Sequence, residues 1–242
     1  MGTDSLRIVS STNGAIWRAR GLTEWLPRWS QVKDVRLVCY HENTLDLHPL
    51  TSIEQKPPAE YLDLLACDHY ARQIIEAPRW QEWELKKDWN SRYYCKHGVN
   101  WFRKVSAIRC ALLSDPSDIV WADMDLTPRP RFTAPAIQGM MAKADLWYID
   151  RTGDPKRTVT DTGFLIFKNC EDTKRFTESW WELYRSGEVF SQPMWGDHHL
   201  LDLCRSRMPH LKYGKLLDAR FSRSIVKHQL GHIQMAKLRK GG

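Results

Sequence analysis

Two aspartates, Asp123 and Asp125, stand two residues apart in Trp121-Ala122-Asp123-Met124-Asp125, directly after the apolar run 118–122. On an extended backbone such residues point to one side. Where the chain curls at a strand end, both carboxylates can reach one hard cation or its waters. Mg²⁺ and Mn²⁺ take oxygen ligands of this kind and accept a diphosphate beside them. A cation held there neutralises the charge that builds on a departing diphosphate. The carboxyl end of a parallel strand is also where α/β sheets bind ligands. Alone the pair is a weak signal, because any strand-to-loop junction can contain it.

The elements that must position the pair can be read from periodicity. Residues 6–10 (LRIVS) form a short apolar strand. The polar residues Ser10, Ser11, Thr12 and Asn13 then read as a turn, which in a nucleotide-binding sheet approaches base and ribose and elsewhere is an ordinary polar turn. Apolar residues at helical spacing over 15–29 and a second strand over 35–40 (VRLVCY) complete a βαβ unit, so the sheet begins parallel. Residues 41–61, with Pro49, Pro57 and Pro58, read as a loop, and 61–89 as broken helix. A helix is expected over 100–113, with Trp101, Val105, Ile108 and Leu112 on one face and Asp115-Pro116 ending it. Strands follow at 118–122, 146–149 and 163–167, and helices at 172–184 and 197–205. The last forty residues carry no clear pattern. With neither repeat nor linker, residues 1–242 read as a single domain with a basic C-terminal segment, 205–242.

Length, 42% hydrophobic content and twelve tryptophans describe a folded chain with a sizeable core, and exclude disorder or low complexity. The net charge is +7 and is uneven: after Cys204 ten Lys or Arg face one acid, Asp218. Such a run is most often a solvated face, and alternatively a docking surface for a polyanion. The segment 76–94 mixes Trp80, Trp83 and Trp89 with Lys86, Lys87 and Arg92, a mixture seen in nucleic-acid contacts, although buried core is the usual place for tryptophan. Six cysteines without C-x-x-C spacing point to reduced, buried thiols. The start MGTDSLRIVSSTNG has no apolar signal run, and no stretch reads as a membrane span. The expectation is a cytoplasmic protein, in a bacterium or a phage-infected host.

The stretch 100–128, NWFRKVSAIRCALLSDPSDIVWADMDLTP, resembles the donor-binding core of GT-A fold glycosyltransferases, nearest to the fungal-type galactosyl- and mannosyltransferase family and the glycogenin-like family. In those families a basic residue on the helix before the D-x-D strand meets the donor. Lys104, or its neighbour Arg103, falls at that place. Residues 160–169, TDTGFLIFKN, look like the N-x-G strand lining the sugar site, with Gly163 matching and Asp161 standing where Asn is usual. Residues 196–203, GDHHLLDL, look like the D-Q-x-x-L helix start, with Asp197 matching and His198 in place of Gln. Residues 226–231, VKHQLG, look like the late H-x-x-G element. The likeness makes His228 a third metal ligand and Gly231 a donor contact; Gln234 stands where that element has a lysine. Asp-His-His also occurs in metal phosphoesterases, but their further Asp and His motifs are absent from the N-terminal half.

The resemblance implies an α/β, GT-A-like (Rossmann-like) fold: a mixed, mostly parallel sheet flanked by helices in a single domain. It implies a glycosyltransferase that moves a sugar from a nucleotide-sugar donor, UDP-sugar first among them, to a hydroxyl. Mn²⁺ or Mg²⁺ would be held by Asp123, Asp125 and His228. Those families retain the anomeric configuration, which requires a nucleophile or a shielded ion pair; Asp161 and Asp197 are the carboxylates for that role. The acceptor is a glycan or, given the basic tail, hydroxymethylated bases in DNA, as in phage-type DNA modification. The competing readings are a nucleotidyltransferase of similar fold and a non-enzymatic basic nucleic-acid-binding module.

Overall fold

The computed structural model describes residues 6–12, 17–41, 53–54, 98–150, 160–194, 196–217 and 226–228. Strand β1 (Leu6–Thr12) leads through a wide-turn helical segment, Trp17–Trp25, and the short α1 (Leu26–Trp29) to β2 (Val35–His41). β3 (Ile53–Glu54), α2 (Gly98–Ser114), β4 (Ile119–Ala122) and β5 (Leu126–Pro128) follow. Next come α3 (Ala134–Met141), β6 (Leu146–Asp150), β7 (Asp161–Phe167), α4 (Glu171–Arg185) and α5 (Asp197–Arg207). The described chain closes with β8 (Tyr213–Leu217) and β9 (Val226–His228).

Seven strands form one sheet in the order β3-β2-β1-β4-β7-β6-β8, and β5 pairs with β9 in a second, two-stranded sheet. β1 pairs with β2 and β4 in parallel, β2 with β3 and β6 with β8 likewise, while β7 runs against both β4 and β6. The expected βαβ start and the mixed, mostly parallel sheet are both present. Alternation along the strands divides the core between two faces. Val9, Trp121, Leu165 and Phe167 face α2, α4 and α5. Ile8, Val120, Phe164 and Ile166 face Trp25, Trp29 and α3. Trp25, Trp29, Trp121 and Trp180 are all fully buried, in keeping with tryptophan as core.

The boundaries differ from the sequence reading in physically instructive places. The Ser10–Thr12 turn is instead the end of β1, because β1 pairs residue by residue with β2 as far as Thr12 and His41. α3 was not anticipated; Thr133 caps it by accepting from the Ala136 N–H at 3.3 Å, with Pro135 in its first turn. α2 ends at Ser114, as Asp115-Pro116 requires. The carbonyls of its last turn and of the residues just beyond are taken by side chains from elsewhere: buried Arg7 donates to the carbonyls of Ala111 at 2.6 Å and of Asp115 and Ser117 at 3.0 Å, and Asn169 Nδ2 to those of Leu112 at 3.0 Å and Asp115 at 2.7 Å. The start of β4, and with it the Asp123 turn, is thereby pinned to β1 and to the end of β7.

Cys39, Cys110, Cys170 and Cys204 are free thiols, and burial pushes the Cys204 thiol up to about 12. Among the described residues no helix is long and apolar enough to cross a membrane. The segment 76–94, Cys67, Cys95, Asn13 and the chain beyond His228, Gly231 included, lie outside the described residues.

Candidate active site

β4 carries the chain to the carboxyl edge of the sheet and stops at Ala122, where a tight turn begins. The Leu126 N–H donates to the Asp123 carbonyl at 2.9 Å, closing a turn that contains Asp123, Met124 and Asp125. The Asp123 N–H donates to the Gly163 carbonyl at 2.9 Å, so β7 fixes the first residue of that turn. Met124 is buried beneath it, and Asp125 is buried as well. On the far side of the turn, β5 pairs antiparallel with β9, which sets Leu126 opposite His228. The backbone therefore brings His228 alongside Asp125; its side chain lies outside the description.

α2 delivers Lys104 into this edge. The sequence left open a solvated lysine or one reaching a diphosphate. Instead the side chain is 10% exposed, and its Nζ lies 3.0 Å from Asp123 Oδ1 and 2.8 Å from Asp197 Oδ2. It also approaches the Thr162 carbonyl at 3.4 Å. Burial alone would lower the Lys104 pKa, but the two carboxylates raise it above its ordinary value, so the group is a fixed cation. Arg103, its neighbour, is half-buried.

Asp197 is 2% exposed and occupies the first helical position of α5, directly after the capping residue Gly196. One carboxylate oxygen accepts from the His198 N–H at 2.8 Å, and the imidazole Nδ1 lies 3.6 Å from the same oxygen. An acid in the first turn complements the helix dipole. Burial pushes its pKa up, yet Lys104 and His198 hold it well below the usual carboxylate range. Asp123 has the opposite balance: burial, Asp125 and Asp197 raise it, and Lys104 only partly offsets them. Asp161, half-buried at the start of β7, accepts from the Gly163 N–H at 2.7 Å. Ser10 and Thr12 are buried and Ser11 half-buried at the carboxyl end of β1, the same edge of the sheet.

Sequence reasoning overlooked Trp121. Its indole N–H donates to Asp123 Oδ1 at 2.7 Å, and Lys104 Nζ stands 5.8 Å from its ring centroid. The signal was available: Trp121 and Asp123 are two apart, so a strand-end pair shares a side. Thr162, the other contact of Lys104, had no such signal.

Lys104 thus joins two carboxylates, Asp123 and Asp197, and Asp125 adds its negative charge beside Asp123. The raised proton affinity of Asp123 comes first from burial and then from the repulsion of Asp125 and Asp197. A divalent cation beside Asp123 and Asp125 would relieve it, and an all-oxygen donor pair suits Mg²⁺ or Mn²⁺. Among the described residues no three His, Cys, Asp or Glu side chains converge into a closed metal cage.

The sequence matches no family model and no curated protein. Among solved structures it is similar to the glycosyltransferase GlyE of Streptococcus pneumoniae TIGR4, with 11% identity and a TM-score of 0.50 over 98% of this chain and 50% of that one. The chain therefore spans half the length of GlyE. A glycosyltransferase involved in the glycosylation of the major capsid of PBCV-1 aligns over 93% of both chains, with 10% identity and a TM-score of 0.46. The galactosyltransferase LgtC, solved with donor and acceptor sugar analogs, aligns over 86% of this chain and 72% of its own, with 10% identity and a TM-score of 0.43. The likeness to GlyE shows a GT-A-type, Rossmann-like fold.

Proposed function

We propose that the chain is a divalent-metal-dependent glycosyltransferase, moving a sugar from a nucleotide-sugar donor, UDP-sugar first, to a hydroxyl. One observation carries the reading: Asp123 and Asp197, bridged by Lys104, and Asp125 beside Asp123 sit at the carboxyl edge of a GT-A-type sheet. A retaining course is the reading favoured by the family resemblance. In the transfer the bond from the anomeric carbon to the phosphate oxygen breaks, and the diphosphate leaves with the electron pair. The acceptor oxygen bonds to that carbon, and its proton passes to the departing phosphate oxygen.

Asp123 and Asp125 would hold the cation, with His228 as third ligand, and the cation supplies charge neutralisation for the diphosphate. Trp121 and Lys104 hold the Asp123 carboxylate in place. Asp197 is tied to Lys104 and is nearly closed to solvent, so its part is to hold that ammonium in place and keep the edge negative. Asp161, half-buried beside Gly163, is the carboxylate better placed to meet the sugar face. Ser10, Ser11 and Thr12 line the edge where base and ribose would lie.

For the acceptor, the basic tail is the argument for hydroxymethylated DNA. In its described part, however, Arg205 is paired with Asp202, Arg207 with Glu188 and Lys215 with Asp150, which leaves fewer cations for phosphates. The reading is tested by incubating the chain with UDP-, GDP- and dTDP-sugars and Mn²⁺. Nucleoside diphosphate release should be stopped by chelator. It should also be lost in Asp123→Asn and in Asp125→Asn, with unfolding midpoints close to the parent, since an amide is a poor ligand for a hard cation. Full activity in either variant would remove the metal assignment, and pyrophosphate release from a nucleoside triphosphate and sugar phosphate would make the chain a nucleotidyltransferase.

A further inference from the structure

Between the β6–β8 edge of the sheet and α5 lies a cavity of about 440 Å³, within the range of roughly 300–1,000 Å³ typical of small-molecule sites. It adjoins the cluster described above. Thr160 on its wall directly precedes Asp161, and Asp202 belongs to α5, the helix that opens with Asp197. Asp202 Oδ1 accepts from Thr160 Oγ1 at 2.7 Å and from Arg205 Nη1 at 2.6 Å. The Arg205 guanidinium stacks on Tyr148, 3.9 Å from its ring centroid. Across the cavity Lys215 pairs with Asp150 at 3.1 Å.

Three features define what would fit. The two acids and two bases pair off, so the wall has no net charge and little to offer a polyanion, whose affinity comes from cations free to replace counterions. Carboxylate, guanidinium and hydroxyl groups occur together, and planar carboxylates and guanidinium forks match adjacent sugar hydroxyls as acceptor and donor pairs. Finally, two buried polar atoms on this wall have no hydrogen-bond partner among the described residues: the hydroxyl of Tyr148, a residue 1% exposed, and Arg205 Nε. Buried groups of this kind are nearly always completed by some partner. We infer that the cavity is a subsite for a neutral saccharide, the acceptor of the transfer; this rests on the glycosyltransferase reading for the word acceptor, though not for the binding.

The test is saturation-transfer NMR on the full chain with glucose, galactose, mannose, N-acetylglucosamine, lactose and maltose, and in parallel with a duplex containing hydroxymethylcytosine. At least one saccharide should bind, and Tyr148→Phe, which removes only the hydroxyl, should raise its Kd about three- to tenfold. Asp202→Asn, on the partly exposed side of α5, is the second variant should Tyr148→Phe fold poorly, and should raise the same Kd. Binding of none of the six sugars, an unchanged Kd in folded variants, or binding of the DNA alone would overturn the subsite. Nucleoside diphosphate release from the sugar nucleotides without saccharide separates the two claims. Release without saccharide binding refutes the subsite, whereas saccharide binding without release refutes the transferase reading and leaves a sugar-binding cavity.

Discussion

Lys104 is the residue on which the local electrostatics turn. Its ammonium stands between Asp123 and Asp197, and a neutral side chain of similar length would leave two carboxylates close together, one of them almost fully buried. Removing one partner of a buried ion pair costs about 3–5 kcal/mol, because the other charge stays behind without compensation. Lys104→Met should therefore lower the free energy of unfolding by about that amount in a urea titration. A loss below about 1 kcal/mol would mean that solvent already screens the cluster. The same substitution should weaken nucleoside diphosphate binding, since Asp123 would lose one of the two donors that orient it.

At the scale of elements, the sheet depends on close approaches that have no counterpart in strand propensity. β8 packs beside β6 with Gly214 opposite Trp147. A Cβ at Gly214 would lie within the Trp147 indole, whose N–H is already committed to the Met140 carbonyl at 3.0 Å. Overpacking of this kind costs about 1–3 kcal/mol. Gly214→Ala should accordingly lower the melting temperature while leaving far-UV circular dichroism close to the parent. An unchanged melting temperature would show that the indole turns aside freely. α5 shows the complementary case: its first turn holds Asp197, its middle Asp202 and its last turn Arg205, so one helix connects the acid-rich cluster to the neighbouring cavity.

For the whole molecule, the join between α2, β1, β2 and β4 is built on Asp115. Burial would raise this carboxyl, but hydrogen bonds from Ser117, the Arg36 guanidinium and the charge of Arg7 hold it well below the usual carboxylate range. The folded state therefore binds this proton more weakly than the unfolded state. The sign follows: the stabilisation is complete above the unfolded carboxylate value, about 4, and is lost as pH falls from there through the depressed folded value. Melting temperatures between pH 7 and pH 2.5 should fall more steeply below about pH 4 in the parent than in Asp115→Asn. Parallel curves for the two proteins would show that Asp115 gains nothing from its neighbours.

The sequence alone determined what depends on neighbours within a few residues. Short apolar runs in 6–10, 118–122 and 163–167 specified the central strands, helical spacing over 100–113 specified α2, and Asp115-Pro116 specified its end. The i, i+2 spacing of Asp123 and Asp125 at a strand end marked the site itself. Tertiary structure decided what joins distant segments. Lys104 and Asp197 meet only because α2 and α5 pack on the same face of the sheet. The fate of Lys104, as a buried counter-ion in place of a surface cation, follows from that packing. Ser10 to Thr12 became strand because β2 offered pairing partners that a polar local sequence cannot announce. β5, β8 and β9 are three to five residues long, too short to show a period, and exist because each has an edge to pair with. The pairing of Arg205, Arg207 and Lys215 with acids elsewhere likewise lay beyond a count of charges along the chain.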